Sequence, residues 1–210
     1  MASWYVPVSL LVLRKELDDR WPDRDRRSDG TIGDADHAAR KSDHNPDRRG
    51  CIHARDIDAD GVHVPTVLAA LMLHPSTSYV IHNRRTWARW DLYRPRPYIG
   101  SNPHKAHIHE SIQYSSSAES SLVRWSPITM AVGSPTVPPT IAKGSLAAVT
   151  VRYAQALLNG QGSSLVLDGD FGIRTLAETR VFQTWAKISV DGIIGPVTWS
   201  RLTTMVRGWS

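Results

Sequence analysis

The sequence predicts an α+β domain followed by a small three-helix domain, and three observations indicate this division. Residues 1–113 are rich in His, Arg and Asp, and they mix one helical pattern with two strand patterns. Residues 114–145 are rich in Ser, Pro and Thr without a sustained period, which is typical of a semi-extended linker. Residues 146–210 return to helical patterning around an internal repeat. We therefore expect two folded domains joined by a linker.

The elements of the first domain are predicted from local patterns. The apolar run Val6–Leu13 is too short to span a bilayer and lacks signal-peptide flanks, so it predicts a buried strand or the start of a helix, and no export signal. The stretch Val64–His74, "VPTVLAALMLH", predicts a helix with Pro65 in its first turn. Strands are predicted at Tyr79–His82 and Ile108–Ile112. One helix and two strands make this domain α+β.

The third region contains a repeated turn. "DGDFGIRT" at 168–175 and "DGIIGPVT" at 191–198 share the pattern Asp-Gly-x-x-Gly-x-x-Thr. Each glycine pair suits a tight turn with positive φ, and each Thr can cap the helix that follows. A first helix is predicted at Leu146–Leu158, and the whole is a compact three-helix module. The residues expected to pack between its helices are Leu157, Leu158, Leu176, Val181, Phe182, Trp185 and Trp199.

Charge and cysteine content exclude several classes of partner and site. The net charge of +5 indicates a polyanionic neighbour, but the excess of Lys and Arg is spread along the chain and forms no basic stripe. No nucleic-acid partner is therefore expected, whereas the polyanionic bacterial cell wall is a candidate. The single cysteine, Cys51, excludes an internal disulfide and a zinc site built on paired cysteines. Any metal site must rest on His and carboxylate ligands.

Two polar segments gather possible metal ligands in the first domain. They are "SDHNPDRRGCIHARDIDAD" at 42–60 and "SNPHKAHIHES" at 101–111, and their candidate ligands are His44, His53, Asp56, Asp58, His104, His107 and His109. Because side chains alternate along a strand, His107 and His109 share one face if Ile108 faces the core. A zinc ion with an open position needs three protein ligands, and imidazole favours zinc over magnesium or calcium. The residues alone leave open which His and which Asp bind. The histidines interpreted as non-ligands are His37, His63, His74 and His82.

The C-terminal region, from Val151 to Leu202, resembles the type-1 family of peptidoglycan-binding domains. The positions that carry the resemblance, besides the two Asp-Gly turns, are Gln155, Leu158, Asn159, Phe182, Gln183, Thr198 and Trp199. The resemblance implies a non-catalytic module that holds its partner enzyme against cell-wall glycopeptide. Asp168 and Asp191 are expected to form turns and not to contact the ligand.

Residues 1–113 resemble the zinc peptidases that include D-alanyl-D-alanine carboxypeptidases and phage L-alanyl-D-glutamate endopeptidases. The matching motifs are Ser42-Asp43-His44, Gly50, Ala54-Arg55-Asp56 and His107-Ile108-His109. The resemblance implies an α+β zinc peptidase domain with a small antiparallel sheet and helices. It also implies a Zn²⁺ cofactor whose protein ligands are His44, Asp56 and His109.

Two departures from the family pattern affect individual residues. Asp56 lies twelve residues after His44, a longer spacing than in most relatives, which fits a loop insertion and keeps Asp58 as an alternative ligand. Many relatives carry an acidic general base where Ala106 stands here. His107 then becomes the candidate base, because a neutral imidazole can accept a proton near pH 7, and His104 is the runner-up.

The region just before His44 is expected to contact the substrate. Arg40 and Ser42 are the residues that could hold a substrate carboxylate or carbonyl. These are expectations from position alone.

The whole chain resembles a bacteriophage endolysin. This implies hydrolysis of an amide bond in the peptide stem of peptidoglycan, with the C-terminal domain as the wall anchor. The alternatives are a D-Ala-D-Ala carboxypeptidase that trims stem peptides and a catalytically inert wall-binding structural protein. We expect a monomer without membrane insertion, retained in the host cytoplasm until the membrane is permeabilised and then acting on the cell wall.

Overall fold

The computed structural model describes residues 3–33, 41–125 and 137–207. Its helices are α1 (Val8–Arg20), α2 (Val64–Leu73), α3 (Ser116–Glu119), α4 (Ala148–Gly160), α5 (Ile173–Trp185) and α6 (Pro196–Thr204). Its strands are β1 (Ala54–Asp58), β2 (Thr77–His82), β3 (Arg85–Ala88), β4 (Arg96–Pro97) and β5 (His107–Ile112), and a short 3₁₀ helix spans Arg89–Asp91. The prediction of a small antiparallel sheet with helices, followed by a helical C-terminal domain, is confirmed.

The five strands form one antiparallel sheet in the order β1-β5-β2-β3-β4. In the β1–β5 pair, Asp56 lies opposite His109 and Ile57 lies opposite Ile108. Alternation along both strands therefore turns the His and Asp side chains to one face and the fully buried isoleucines to the other. This register decides which polar residues of the two strands can meet.

Helix α2 is buried on nearly every side. Its sequence is apolar all round, as expected of a helix enclosed by protein. Pro65 occupies its first turn, and the His63 side chain caps its start by accepting a hydrogen bond from Thr66 N. The helix packs on the sheet and on α4, so it forms the centre of the hydrophobic core. Of the two alternatives for Val6–Leu13, the structure shows the helix start, in α1.

The described ends of the predicted linker are held by contacts. Trp125 is fully buried, its ring stacks on His74 at 3.5 Å between centroids, and its indole N–H donates to Ser9 O at 3.1 Å. Further along, Ile141 pairs with Ile194 in a two-way backbone bridge. Residues 126–136 lie outside the described residues. The Ser/Pro/Thr-rich composition of this region did not predict that Trp125 would be buried and would hold the segment against α1 and His74.

His74 is buried where it stacks on Trp125, so the stability of the folded protein depends on whether the His74 ring is protonated. Burial lowers the pKa of His74 to about 4, although its hydrogen bond to Val123 O opposes this. The unfolded chain binds a proton to the same ring near pH 6.5, so protons favour the unfolded state between these values. We expect the free energy of unfolding to fall as the pH drops from about 6.5 to 4, by about 1.4 kcal/mol per unit of pKa difference.

Urea denaturation at pH 7 and pH 4.5 measures this effect, with a chelator present to remove any contribution from metal. The control variant is His74→Phe, which keeps an aromatic ring against Trp125 but does not titrate. The stability of the variant should depend less on pH than that of the wild type. Equal pH dependence of the two proteins would contradict the assignment to His74.

Two buried glutamines organise the repeated turns of the C-terminal domain. The Gln155 amide donates to Asp168 Oδ1 at 2.7 Å and to Asp170 O at 3.1 Å, and its carbonyl accepts from Gly169 N at 3.0 Å. The second turn repeats this arrangement: Gln183 bonds to Asp191 Oδ1, Ile193 O and Gly192 N, at 2.8, 2.9 and 2.8 Å. Each aspartate side chain also accepts a backbone N–H two residues on. The two aspartates have the turn-forming geometry expected of them.

Parts of the expected turn chemistry were wrong. The helices that follow the turns begin at glycine N-caps, Gly172 and Gly195, and not at Thr175 and Thr198. Thr175 instead donates to the carbonyl of Asp170, because its position inside the first helical turn points its hydroxyl back into the loop. The backbone has positive φ only at the first glycine of each pair, Gly169 (82°) and Gly192 (76°).

The expected core of the C-terminal domain is formed with one exception. Phe182 and Trp199 are buried, and Leu176 and Trp185 are partly buried against the same core. Val181 was wrongly included, since its side chain lies on the outer side of α5 and the residue is 45% exposed.

The C-terminal domain packs directly against the first domain through α2 and α4. Gly160 lies so close to Pro65 that an added Cβ would be 2.8 Å from the Pro65 Cα. At the rim, His63 Nε2 donates to Met205 O and Leu167 N donates to Leu92 O, both at 3.0 Å. The absence of a side chain at Gly160 thus permits the close approach of the two domains.

Gly160→Ala is expected to lower the free energy of unfolding by about 1–3 kcal/mol, because the new methyl group overpacks a rigid backbone contact. Helix propensity alone would predict an increase in the free energy of unfolding, since Ala is a better helix former than Gly. Thermal or urea denaturation measures the change. Ser200→Ala, at an exposed position of α6, is the control for propensity and should raise the free energy of unfolding by no more than about 0.5 kcal/mol. A stabilised Gly160→Ala variant would contradict the close contact.

Candidate metal centre

Three polar atoms from three segments meet in a small triangle on the polar face of the sheet. His44 Nε2 lies 3.1 Å from His109 Nδ1 and 3.2 Å from Asp56 Oδ1, and His109 Nδ1 lies 3.0 Å from the same carboxylate oxygen. His44 and His109 are buried, and the Asp56 side chain is 18% exposed. Within the described residues this is one of two groups compact enough to hold a metal ion.

Hydrogen bonds outside the triangle determine which way each imidazole faces. His44 Nδ1 lies 2.8 Å from Thr31 O, and since a carbonyl only accepts, Nδ1 carries the proton. On the other ring, His109 Nε2 lies 3.0 Å from Ser111 Oγ. The Ser111 hydroxyl also acts on the Asp43 carboxylate and lowers the pKa of that group; when the hydroxyl donates to the carboxylate, it accepts from His109 Nε2. In its neutral form, each ring therefore turns a lone pair into the triangle.

The donor set fits a zinc ion. Two imidazole lone pairs and a carboxylate oxygen all accept, so at these distances they repel one another unless a proton or a cation lies between them. In a tetrahedral zinc site with ligand bonds near 2.0–2.1 Å, neighbouring ligand atoms are about 3.3 Å apart. The observed edges of 3.0–3.2 Å are close to that value. Two histidines, one aspartate and an open side are also the ligand set expected of a catalytic zinc.

Electrostatics keep Asp56 ionised. Burial by itself raises the pKa of this carboxyl, but its close contacts with the His109 and His44 rings hold the pKa well below its usual range. The pKa of His44 is raised, because the attraction to Asp56 outweighs the effect of burial. Binding of a divalent cation in the triangle therefore competes with protonation of His44.

The local fold explains why the three residues converge. Asp56 and His109 are cross-strand neighbours in β1 and β5, whereas His44 comes from a loop. That loop is held by the bond from Gly33 N to His44 O at 3.0 Å. The segment before it lies along the free edge of β1, where Gly30 and Asp56 exchange backbone hydrogen bonds of 2.8 and 3.2 Å. A Cβ on Gly30 would come within 3.0 Å of Asp56 Oδ2, so the glycine leaves room for the carboxylate.

A second layer of polar residues supports His109. Asp43 accepts from the hydroxyls of Tyr79 at 2.8 Å and Tyr114 at 2.7 Å. Burial by itself raises the pKa of Asp43, but these two hydrogen bonds and the Ser111 hydroxyl lower it by more. The net pKa lies below the usual value, so Asp43 stays a carboxylate. Outer carboxylates of this kind orient metal-bound histidines. The sequence did not indicate these residues as a group, although Ser111 shares the β5 face of His109 by the period of two.

The two candidate bases lie beside the triangle. His107 Nε2 is 3.8 Å from Asp56 Oδ1, and the His104 ring is 4.9 Å from that of His107 and 5.6 Å from that of His109. His104 Nδ1 donates to Asn102 O at 2.8 Å, which leaves its Nε2 as an acceptor. Burial lowers the pKa of both rings, and the neighbouring His109 and His107 lower the pKa of His104 further, to about 4. Both imidazoles are therefore neutral near pH 7.

The other residues singled out in the sequence have different places. Asp58 accepts hydrogen bonds from Ser28 N and Asp60 N, both at 2.9 Å, and does not enter the triangle. Ser42 Oγ accepts from His44 N at 3.3 Å, so it supports the loop that carries this histidine. Arg40 and His37 lie outside the described residues. The substrate-binding roles of Arg40 and Ser42 stay predictions.

A second compact group is formed by Cys51, His53 and Glu119. Its carboxylate is already paired, since Arg49 Nη2 and Nη1 lie 2.6 and 3.0 Å from the two oxygens of Glu119. His53 Nε2 lies 3.0 Å from the same carboxylate. A cation here would face the Arg49 guanidinium, so this group is a structural ion pair that ties the His44 loop to α3.

Glu110 lies on the opposite face of the sheet, away from the triangle, as its alternation with His109 predicts. It is fully buried and accepts from Thr77 Oγ1 at 2.8 Å. Burial raises its pKa well above the usual range, so the side chain is a neutral acid within the core.

Comparison with known proteins identifies the C-terminal domain. Residues 148–202 match the family model described as "Putative peptidoglycan binding domain". These residues span α4, both repeated turns, α5 and most of α6. The C-terminal domain of this chain is a peptidoglycan-binding domain.

Two individual proteins resemble the chain in part. An "Uncharacterized protein in bpoA1 3'region" from Kitasatospora aureofaciens is 50% identical over 36 residues, which are 17% of this chain and 30% of that protein. The chain thus spans under a third of this curated relative. A crystal structure of a peptidoglycan-binding protein from Clostridioides difficile, in complex with glutamine hydroxamate, covers 61% of this chain and 92% of its own at 19% identity and a TM-score of 0.34. A score this low carries no argument about the fold. None of the helices among the described residues is long and apolar enough to cross a membrane.

Proposed function

We propose that the first domain is a zinc-dependent peptidase that hydrolyses an amide bond in the peptide stem of peptidoglycan. The observation that supports this most strongly is the triangle of His44, Asp56 and His109, in which two imidazole nitrogens and a carboxylate oxygen face one another at 3.0–3.2 Å. Such a set is unfavourable unless a proton or a cation lies between its atoms. The peptidoglycan-binding domain indicates where the substrate is found.

The residues of the chain have distinct roles in this proposal. His44, Asp56 and His109 would hold Zn²⁺, which when bound supplies Lewis acidity toward a carbonyl oxygen and lowers the pKa of water toward about 7. The neutral ring of His107 accepts the proton of the attacking water and returns it to the leaving amine. His104 is the alternative base. Asp43, through Ser111, keeps the His109 tautomer that presents Nδ1 to the ion.

The wall-binding domain raises the concentration of substrate at this site. Two contacts with one polymer increase the overall affinity without new catalytic groups. Since α4 packs on α2, the two domains meet the wall with a defined relative orientation. This arrangement suits an endolysin of the bacteriophage type, which acts as a monomer, stays in the host cytoplasm and reaches the wall after membrane permeabilisation. Fractionation of infected cells tests the location: protein found at the wall before permeabilisation would contradict it.

Zinc content and muropeptide analysis test the enzymatic proposal together. We expect one zinc per chain in the wild type by plasma mass spectrometry, and loss of zinc in His44→Ala and His109→Ala. His63→Ala is the matched control, since His63 caps α2 and lies outside the triangle. Mass spectrometry of digested peptidoglycan then names the bond that is cut, and it separates an endopeptidase from an enzyme that removes only terminal D-Ala. Wild-type protein without stoichiometric metal would overturn the proposal in favour of an inert wall binder.

A further inference from the structure

A strongly cationic cavity lies next to the candidate metal centre. It has a volume of about 570 Å³, and four of its eight lining residues are cations: Arg84, Arg85, Arg96 and Lys105. Among the described residues, no carboxylate lines it. Arg96 is paired with Asp91 at 2.7 Å, whereas Arg84 and Lys105 are exposed at the cavity, so its described lining carries an excess of positive charge. A concave site with this excess attracts and retains anionic groups.

The cavity and the candidate metal centre share one loop. Arg84 belongs to the tight turn between β2 and β3, in which Asn83 and Arg84 both have positive φ, at 43° and 59°. This turn is bonded to the loop before β5, since Asn83 N donates to His104 O and Arg84 N donates to Pro103 O, both at 2.9 Å. Lys105 follows His104 directly, and the His104 ring lies beside that of His109. The loop that carries His104 therefore connects the cavity to the candidate metal centre.

The wall of the cavity also includes the C-terminal domain, through Ser164. A second cavity of about 540 Å³ begins at the neighbouring residues Arg94 and Leu165 and extends to the Asp168 turn of the peptidoglycan-binding domain. Its charged lining residues are the cations Arg94, Lys143 and Arg174 and the aspartates Asp168 and Asp170. Residues adjacent in sequence thus line both cavities, and the second cavity includes the first turn of the peptidoglycan-binding repeat.

We propose that the cavity of Arg84, Arg85, Arg96 and Lys105 binds free carboxylate groups of the peptidoglycan stem peptide whose amide bond lies at the metal centre. This inference rests on the proposed function for the nature of the substrate. Stem peptides carry carboxylates a few bonds from each amide, and guanidinium groups bind carboxylates through paired hydrogen bonds. Charge in a confined cavity, as opposed to an extended stripe, suits a short anionic peptide better than a long polyanion.

Binding measured without turnover tests this inference separately from catalysis. Isothermal calorimetry with the full chain and a chelator compares two soluble muropeptides, one with free carboxylates and one with these groups amidated. We expect the free acid to bind at least about tenfold more tightly and to lose affinity as ionic strength rises. Equal affinities would overturn the proposal. Tight binding without any hydrolysis in the zinc-loaded protein would contradict the proposed function and leave the carboxylate site supported.

Charge-neutralising variants locate the site. Arg84→Gln combined with Lys105→Gln should weaken binding of the free acid at least about tenfold and leave the amidated muropeptide unaffected. The matched control is Lys15→Gln combined with Arg201→Gln, which removes two exposed cations outside both cavities and should change affinity less than about twofold. Unchanged zinc content and melting temperature show that each variant is folded.

Two further measurements identify the ligand chemistry. Arg84→Lys, with the wild-type Lys105, keeps the charge but loses the paired hydrogen bonds, so it should weaken binding less than Arg84→Gln does. A soluble glycerol phosphate polymer serves as the competitor from a different class. Displacement of the wild-type protein from cell walls by this polymer, together with no preference for the free-acid muropeptide, would show a phosphate site and overturn the assignment to stem carboxylates.

Discussion

Asp56→Asn is expected to abolish stoichiometric zinc binding and, with it, hydrolysis of peptidoglycan. Asp56 supplies the only negative charge among the three candidate ligands, and both histidines lie within 3.2 Å of its Oδ1 atom. A neutral amide removes that charge and offers an N–H₂ group in one of its two orientations. Since even outer partners of metal ligands contribute about 10–100-fold in metal affinity, loss of a direct ligand should cost at least about 100-fold. Competition with a chromogenic chelator measures the affinity.

Asp58→Asn is the matched control for this experiment. Asp58 lies two residues along the same strand and undergoes the same chemical change, but its carboxylate bonds to backbone groups of Ser28 and Asp60. We expect this variant to keep its zinc and its activity, with a stability loss of about 1 kcal/mol from weakened hydrogen bonds. If Asp58→Asn lost zinc and Asp56→Asn kept it, the ligand assignment would be reversed.

His107→Ala is expected to lower kcat by about 10²–10⁴-fold, the usual contribution of a general base, while zinc stays bound. The His107 ring lies 3.8 Å from the carboxylate oxygen of the triangle without entering it, and burial keeps the ring neutral. It can therefore take a proton from a water at the centre without competing as a ligand. Hydrolysis of a soluble muropeptide gives kcat and KM separately, and KM should change little.

His104→Ala separates the two candidate bases. His104 lies beside both His107 and His109, but its positive φ of 51° and its bond to Asn102 O hold it in the loop that supports the cationic cavity. We expect a smaller loss of kcat than in His107→Ala. A larger loss, with zinc retained, would transfer the role of base to His104. If the His107→Ala variant lost its zinc, His107 would be assigned as a metal ligand and not as the base.

Much of the fold was predictable from local patterns. The helix at Val64–Leu73 and the strands at Thr77–His82 and His107–Ile112 agree with the expected elements to within two residues at each end. They were predictable because an apolar helix and apolar strands are local features of the chain. The repeated Asp-Gly turns were equally visible. The glutamines that organise them, Gln155 and Gln183, were recognised only as matching positions of a family.

The errors and omissions arose where contacts distant in sequence decide the outcome. The Ser/Pro/Thr-rich stretch gave no sign that Trp125 would be buried against His74. Asp56 and Asp58 have the same local chemistry, and only the path of the Ser28–Gly30 segment distinguishes them. The cationic cavity combines residues from β3, β4 and two loops, so no window of the sequence contains it.

The sequence by itself determined the residue types available for chemistry and the local elements that carry them: a chain with one cysteine, two clusters of His and Asp, and a repeated turn. Only the tertiary structure decided which of these groups meet. The register of β1 against β5 pairs Asp56 with His109, and the hydrogen bond that His44 Nδ1 donates to the Thr31 carbonyl turns His44 toward them. Metal coordination depends on distances of a few tenths of an ångström between atoms far apart in the chain, and such distances are set by packing and not by local propensity.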